Sequence, residues 1–194
     1  MPDGANIPVL DHTLADDELD WAHGVYRDFQ AARAAHPAGA APFDPKETLR
    51  QILGRKEHLL PTPMELSGEG PWRNGRNAHG RLVAAVFLKH VELHKHAASR
   101  TDQFPMYVVG EADAYSEVDG KPVLTPVKGG DQFHNAPGAP HAFLPKVGKP
   151  VNPDWEIAFV AITPRNLRED TQKVSDATRS AYQQVVGQEA PTRI

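Results

Sequence analysis

The sequence predicts an antiparallel all-β body of barrel or jelly-roll type, preceded by a helical extension and followed by one helix. Three observations lead there. From about residue 80, β-branched and aromatic residues fall in short runs broken by Gly, Pro and Asp, the pattern of short strands joined by tight loops. Before that point, apolar residues recur at helical spacing. Near the end, Ser175 to Val186 reads as a helix closed by Gly187. The boundaries are 1–79 for the N-terminal helical extension, 80–170 for the β-barrel and 171–194 for the C-terminal helix and tail.

Each element has its own local reason. Residues 1–12 read as a loosely docked arm. Thr13 is placed to cap a helix from Leu14 to about Ala35, with Asp16, Asp17 and Glu18 in its first turn, where the helix dipole favours anions. Trp21, Val25, Phe29 and Ala32 make its apolar face. Pro37 to Phe43 is a Pro/Ala/Gly linker. Asp44-Pro45-Lys46-Glu47 then starts a second helix: an acceptor at the cap, Pro at the first position and Glu at the third. That helix carries Leu49, Ile52 and Leu53 and ends near Gly54. The expected strands are Arg81–Leu93, Met106–Tyr115, Pro122–Val127, Gln132–Asn135 and Glu156–Thr163.

Composition narrows the function. The chain has 194 residues, the length of one ordinary domain, and 40% of them are hydrophobic. The 21 basic and 25 acidic residues give a net charge of −4, which argues against a general nucleic-acid binder. There is no Cys, so disulfides, zinc–thiolate sites, iron–sulfur clusters and thiol catalysis are excluded. The longest apolar run, Leu82 to Leu88, is far short of the ~20 residues of a membrane helix. The first twenty residues hold six acids and no Lys or Arg, so no export signal is expected. The expectation is a cytoplasmic protein with a small-molecule substrate and no nucleic-acid or membrane partner.

The ten His residues are the main clue. His90, Glu92, His94 and His96 alternate along one expected strand, so all four would face the same way. Turned into a barrel, such a row needs partners, because buried polar groups are costly unless satisfied. A metal ion is the obvious one. On a solvated face the same row would need no explanation.

The surrounding spacing bears on this choice. His94-Lys95-His96 is followed by six residues, Gln103, six more residues and Gly110. Later come Gly130, five residues, and Ala136-Pro137-Gly138-Ala139-Pro140-His141. This pattern resembles the two motifs of the cupin superfamily over residues 80–163. The first of these is His-x-His, a gap, Glu, six residues and Gly; the second is Gly, five residues, Pro-x-Gly, two residues and His. The resemblance implies a single-domain cupin jelly roll, commonly dimeric. It also implies a divalent metal ion (Fe, Mn, Ni or Zn) held by His94, His96, Gln103 and His141.

Three positions depart from the family pattern. Ala136 stands where the second motif has Pro, and Pro145 where Asn often follows the last His. Gln103 stands where most cupins have Glu, and this change alters the chemistry. A neutral amide leaves the ion its full +2 charge, which suits Lewis-acid work better than high-valent iron. In this the chain is similar to cupins of the uronate ring-opening type and to cupin-type hydroxynitrile lyases. The long gap before Gln103 also resembles the archaeal cupin-type phosphoglucose isomerases. Asp102 is an alternative ligand only if the register slips, which would reverse its face.

Two further residues are candidates for moving a proton. Glu92 shares the expected face of His94, and Tyr107 lies four residues after Gln103, hence on the same expected strand face. Their plain alternatives are a carboxylate paired with Lys89 or Lys95 and a core aromatic. His90 and His134 are substrate or supporting groups if they are functional at all, and Trp72-Arg73 could line the mouth of the barrel. His12, His23, His36, His58 and His79 read as solvated. The expected activity is metal-dependent lyase or isomerase chemistry on a small oxygenated molecule. An Fe(II) dioxygenase and a non-catalytic ligand-binding cupin are the alternatives.

Overall fold

The computed structural model describes residues 13–55, 73–88, 91–108, 111–150, 157–164 and 170–187. Two helices come first, α1 (Asp16–Ala34) and α2 (Pro45–Arg55). Ten strands follow: β1 (Arg73–Arg76), β2 (Leu82–Leu88), β3 (Val91–His96), β4 (Thr101–Val108), β5 (Ala112–Val118), β6 (Lys121–Val127), β7 (Phe133–Asn135), β8 (His141–Pro145), β9 (Ile157–Thr163) and β10 (Thr171–Gln172). Helix α3 (Asp176–Val186) closes the described chain. The expected arm at 1–12, and Trp72, His12, His58, His90 and Gly110, lie outside the described residues.

The strands form two five-stranded antiparallel sheets, ordered β1-β2-β9-β4-β7 and β10-β3-β8-β5-β6. Among the described residues no strand pairing joins the two, so the expected barrel is here a β-sandwich. Side-chain alternation sorts the apolar residues into three cores. Between the sheets lie Ala84, Val86, Phe159 and Ala161 from one side and Val91, Ala114, Val127 and Phe143 from the other. On the outer face of the first sheet, Val83, Ala85, Phe104, Met106, Val160 and Ile162 pack under Trp21, Val25 and Phe29 of α1 and Leu49, Ile52 and Leu53 of α2. On the outer face of the second sheet, Leu93, Tyr115, Ala142 and Leu144 meet Tyr182 and Val186 of α3. The order of layers is helices, sheet, sheet, helix. Central β9 is buried on both faces, which accounts for its unbroken apolar run.

Capping explains where the helices begin and end. Asp44 Oδ1 accepts from the backbone amides of Lys46 and Glu47 at 2.9 and 3.0 Å, as the Asp-Pro-x-Glu pattern anticipates. Ser175 accepts from the Thr178 amide at 3.1 Å, and Gly187 takes the left-handed conformation (φ 71°) that ends α3. The expected Thr13 cap is not used. Ala15 is the cap residue of α1, and its amide donates to the Glu18 carboxylate at 2.8 Å. Thr13 instead gives its carbonyl to Arg81. No helix among the described residues is long and apolar enough to cross a membrane.

Two expected strands are each split. Arg81–Leu93 becomes β2 and β3, which belong to different sheets, and Met106–Tyr115 overlaps β4 and β5, also in different sheets. Of the expected row, Glu92, His94 and His96 all lie in β3, and His90 lies outside the described residues.

Candidate metal centre

The site begins with an irregularity in β3. Val91 lies opposite Phe143 and His94 opposite His141, so three steps along β3 match two along β8. One extra residue is a β-bulge. Val91 belongs to the core between the sheets, while Leu93 packs outward against the α3 core. Strict alternation from Val91 would send His94 outward as well. The bulge returns it to the interior, beside His141 and two residues from His96.

The three imidazoles meet there. Their ring centroids are 4.3 Å (His94–His141), 4.9 Å (His94–His96) and 5.1 Å (His96–His141) apart. One nitrogen from each lies within 4.8 Å of the others. His94 Nδ1 sits 2.7 Å from the Glu92 carbonyl and His141 Nδ1 3.0 Å from the Ala139 carbonyl. As donors in these bonds, both rings carry the proton on Nδ1 and leave Nε2 as a lone pair. His94 Nε2 and His96 Nε2 are 3.3 Å apart. Two imidazole nitrogens on one tetrahedral cation, each about 2.1 Å from it, are separated by about 3.4 Å. His141 Nε2 is buried with no hydrogen-bond partner among the described residues. A buried acceptor left in that state is costly, and a divalent cation would satisfy it. The donor set fits such an ion.

Burial also sets the protonation state. It pushes His96 down to about 4, helped by neighbouring His94 and opposed by Asp170. It holds His141 well below the usual imidazole range, with His94 and His96 adding to the effect. Both rings stay neutral near pH 7, which is the form that binds metal. The backbone around the site is tied down too. The Gly138 amide donates to the His96 carbonyl at 2.6 Å, joining the β7–β8 loop to the end of β3, and Gly138 supplies the positive φ (76°) of that loop.

The other sequence candidates fall in different places. Gln103 lies opposite Ala161 and Phe133, which pack in the core between the sheets, so it enters the interior from the facing sheet. It is 2% exposed, and its Oε1 accepts from Asn135 Nδ2 at 3.1 Å. Asp102 has the opposite parity and pairs with Ile162, so the register has not slipped. Its carboxylate meets Arg100 (3.1 Å), His134 (3.1 Å) and Gln132 (3.4 Å), which gives His134 a partner away from the three imidazoles. His79, expected to be solvated, bonds Asp17 at 2.9 Å.

The two proton-moving candidates need separate treatment. Glu92 precedes His94 across the bulge, so the two-residue spacing does not give them a common face. Its carboxylate is not one of the three grouped ligands, although Oε2 is buried without a hydrogen-bond partner among the described residues. For Tyr107 the spacing argument fails as well. A register shift between Pro105 and Tyr107 puts an extra residue in β4, and Tyr107 lies opposite Ala158, whereas Gln103 lies opposite Ala161. Four residues therefore no longer mean a shared face. The Tyr107 side chain lies outside the described residues. Sequence reasoning missed two buried polar residues near these groups, Asn135 and Asp170. Asp170 stands outside both motifs and Asn135 at an unspecified position of the second, and strand pairing brings them close.

No protein-family model and no curated protein matches the chain. Solved structures do. One is an uncharacterized conserved protein with a double-stranded β-helix domain from Klebsiella pneumoniae, at 18% identity over 55% of this chain and 83% of that one, TM-score 0.36. Another is a cupin-like protein from Thermotoga maritima, at 16% identity over 54% of this chain and 71% of that one, TM-score 0.35. A third is the oxalate decarboxylase of Lactobacillus farciminis in complex with formate, at 19% identity over 66% of this chain and 38% of the longer enzyme, TM-score 0.42.

Proposed function

We propose that this protein is a divalent-metal-dependent cupin enzyme that acts on a small oxygenated molecule by Lewis-acid chemistry of the lyase or isomerase type. The observation that carries the proposal is the convergence of His94, His96 and His141, two of them tethered at Nδ1 by backbone carbonyls. A cation held there would polarise a substrate carbonyl or lower the pKa of a hydroxyl. The chain's own part is to keep His96 and His141 neutral by burial and to fix the direction of each ring.

Gln103 supports the Lewis-acid reading over a redox one. All four proposed ligands are neutral, so nothing in the set offsets the ion's charge. Its Oε1 has a second lone pair beyond the bond from Asn135. Glu92 is the proposed proton carrier, on the strength of its buried, unsatisfied Oε2.

The test is turnover without oxygen. Protein reconstituted with Mn²⁺, Ni²⁺ or Zn²⁺ is assayed anaerobically against small hydroxy-carbonyl compounds and sugar acids. Product forms anaerobically and is lost in His96→Ala. Turnover that needs Fe²⁺ and consumes O₂ would make the protein a dioxygenase instead.

A further inference from the structure

We propose that Asn135 is a positioning residue for Gln103: its side-chain N–H holds Gln103 Oε1 and so decides which end of that amide is offered to the ion. The inference rests on the metal-binding reading above, with Gln103 as the fourth ligand, and extends it to a residue that neither motif specifies.

Strand pairing gives the placement. Strand β7 pairs with β4, with Gln103 opposite Phe133 and Thr101 opposite Asn135, so Asn135 is the diagonal neighbour of Gln103 on one face. That face is the interior one. Phe133 meets Phe143 with ring centroids 5.2 Å apart, and His141 stands two residues before Phe143 on the same face of β8. The chain after Asn135 runs to Gly138, whose amide donates to the His96 carbonyl at 2.6 Å. One short segment, 133–141, thus joins the strand of Gln103 to His96 and His141.

A glutamine ligand has a difficulty that a glutamate ligand lacks. The two ends of its amide are similar in shape and opposite in chemistry. Oε1 offers lone pairs, whereas Nε2 carries two protons and repels a cation. Half a turn about the last side-chain bond exchanges them. A carboxylate has two oxygens, so the same rotation changes nothing. Asn135 Nδ2 donates to Gln103 Oε1 at 3.1 Å, and the two residues are 1% and 2% exposed. A turned Gln103 amide would set one N–H donor against another in a buried place. The bond therefore selects one orientation and leaves the second lone pair of Oε1 for the ion. The other end of the Asn135 side chain, Oδ1, is buried with no hydrogen-bond partner among the described residues. A buried amide held there despite an unmet acceptor points to the bond with Gln103 as its role.

The test is a double-mutant cycle. Zn²⁺ affinity is measured by competition with a chromophoric chelator for wild type, Asn135→Leu, Gln103→Glu and the double variant. Asn135→Ala repeats the comparison with a smaller side chain in case Asn135→Leu does not fold. The expected loss on removing the Asn135 donor is roughly ten- to hundredfold in the wild-type background. In the Gln103→Glu background it is no more than about twofold, the scatter of independent changes. The side-chain NH₂ signals of Gln103 in zinc-free protein, identified by their absence in Gln103→Glu, are one sharp pair in wild type and broadened or doubled in Asn135→Leu. Equal losses in both backgrounds would make the pair a plain buried hydrogen bond. Affinity unchanged or raised in Asn135→Leu would mean that Gln103 needs no such hold. Either result overturns the assignment. A Gln103→Ala variant that binds Zn²⁺ as wild type does removes Gln103 from the ligands, and a wild type that takes up no Zn²⁺ removes the site. The assignment falls with either, by a result distinct from its own failure.

Discussion

At the scale of single residues, the site is a set of neutral donors kept neutral by burial, and that has a cost in acid. In the unfolded chain His96 titrates near its ordinary value of 6.5, but in the fold it does so at about 4. Between these values the unfolded state binds a proton that the folded state does not, so stability falls as pH drops. At pH 5 the loss from His96 alone is roughly 2 kcal/mol, and His141 adds to it in the same direction. Thermal melts of metal-free protein from pH 7 to pH 5 check this. The midpoint falls with pH, and the slope is shallower in His96→Gln. Gln103 allows a second test. Gln103→Ala lowers both metal affinity and turnover. Unchanged metal content and unchanged turnover would remove Gln103 from the ligand set.

Residue identity was legible in the sequence, while residue direction was only partly so. The spacing of His94, His96 and His141 marks them in one dimension, and the fold brings them together. The face-sharing arguments for Glu92 and Tyr107 counted residues in twos. Each fails at a bulge, where one extra residue changes the parity. No Gly or Pro marks the bulge in Val91–His94, so the period-two pattern gives no warning of it.

At the scale of elements, legibility follows local chemistry. Helix α2 begins where Asp44 caps it, and α3 is bracketed by Ser175 and Gly187, because a cap needs only near neighbours. Strands β6 and β9 stand close to their expected bounds, since turn residues or a dense β-branched run set them apart. The β2–β3 and β4–β5 boundaries were not visible. Only Lys89-His90 and Gly110-Glu111 interrupt the apolar runs there, too short a break to mark a change of sheet, which is a tertiary fact. Short β8 and β10 have too few residues for a period to show. The caps can be weighed directly. Asp44→Ala and Ser175→Ala each cost about 1 kcal/mol, and in a chain of this size such a loss lowers the midpoint by about 2–4 °C. Differential scanning calorimetry of the two variants measures it.

At the scale of the molecule, the layers are held in order by one buried carboxylate as well as by apolar packing. Glu18 of α1 is fully buried and receives Arg81, Asn77 Nδ2 and the Ala15 amide, tying the start of the helix to the β1–β2 turn. Removing one partner of a buried pair leaves the other uncompensated, so Glu18→Ala costs about 3 kcal/mol in a denaturant titration. The three imidazoles lie between the sheets and not under α1, so metal uptake proposed for them is expected to be unchanged in this variant once it is folded. The antiparallel all-β body with its flanking helices and the spacing of the His residues were readable from sequence, although a barrel was expected where the described strands form a sandwich. The assignment of strands to sheets was not, and it is what sets Asp170 and Asn135 beside the motif residues.

The central claim is that His94, His96 and His141 bind one divalent ion. Elemental analysis tests it most directly, on protein purified without chelator or affinity nickel and beside a His94→Ala/His141→Ala double variant. The account predicts close to one Mn, Fe, Ni or Zn per chain in the wild type and none in the variant, with circular dichroism unchanged. A wild type free of metal even after incubation with each ion, or a double variant that retains it, would contradict the account.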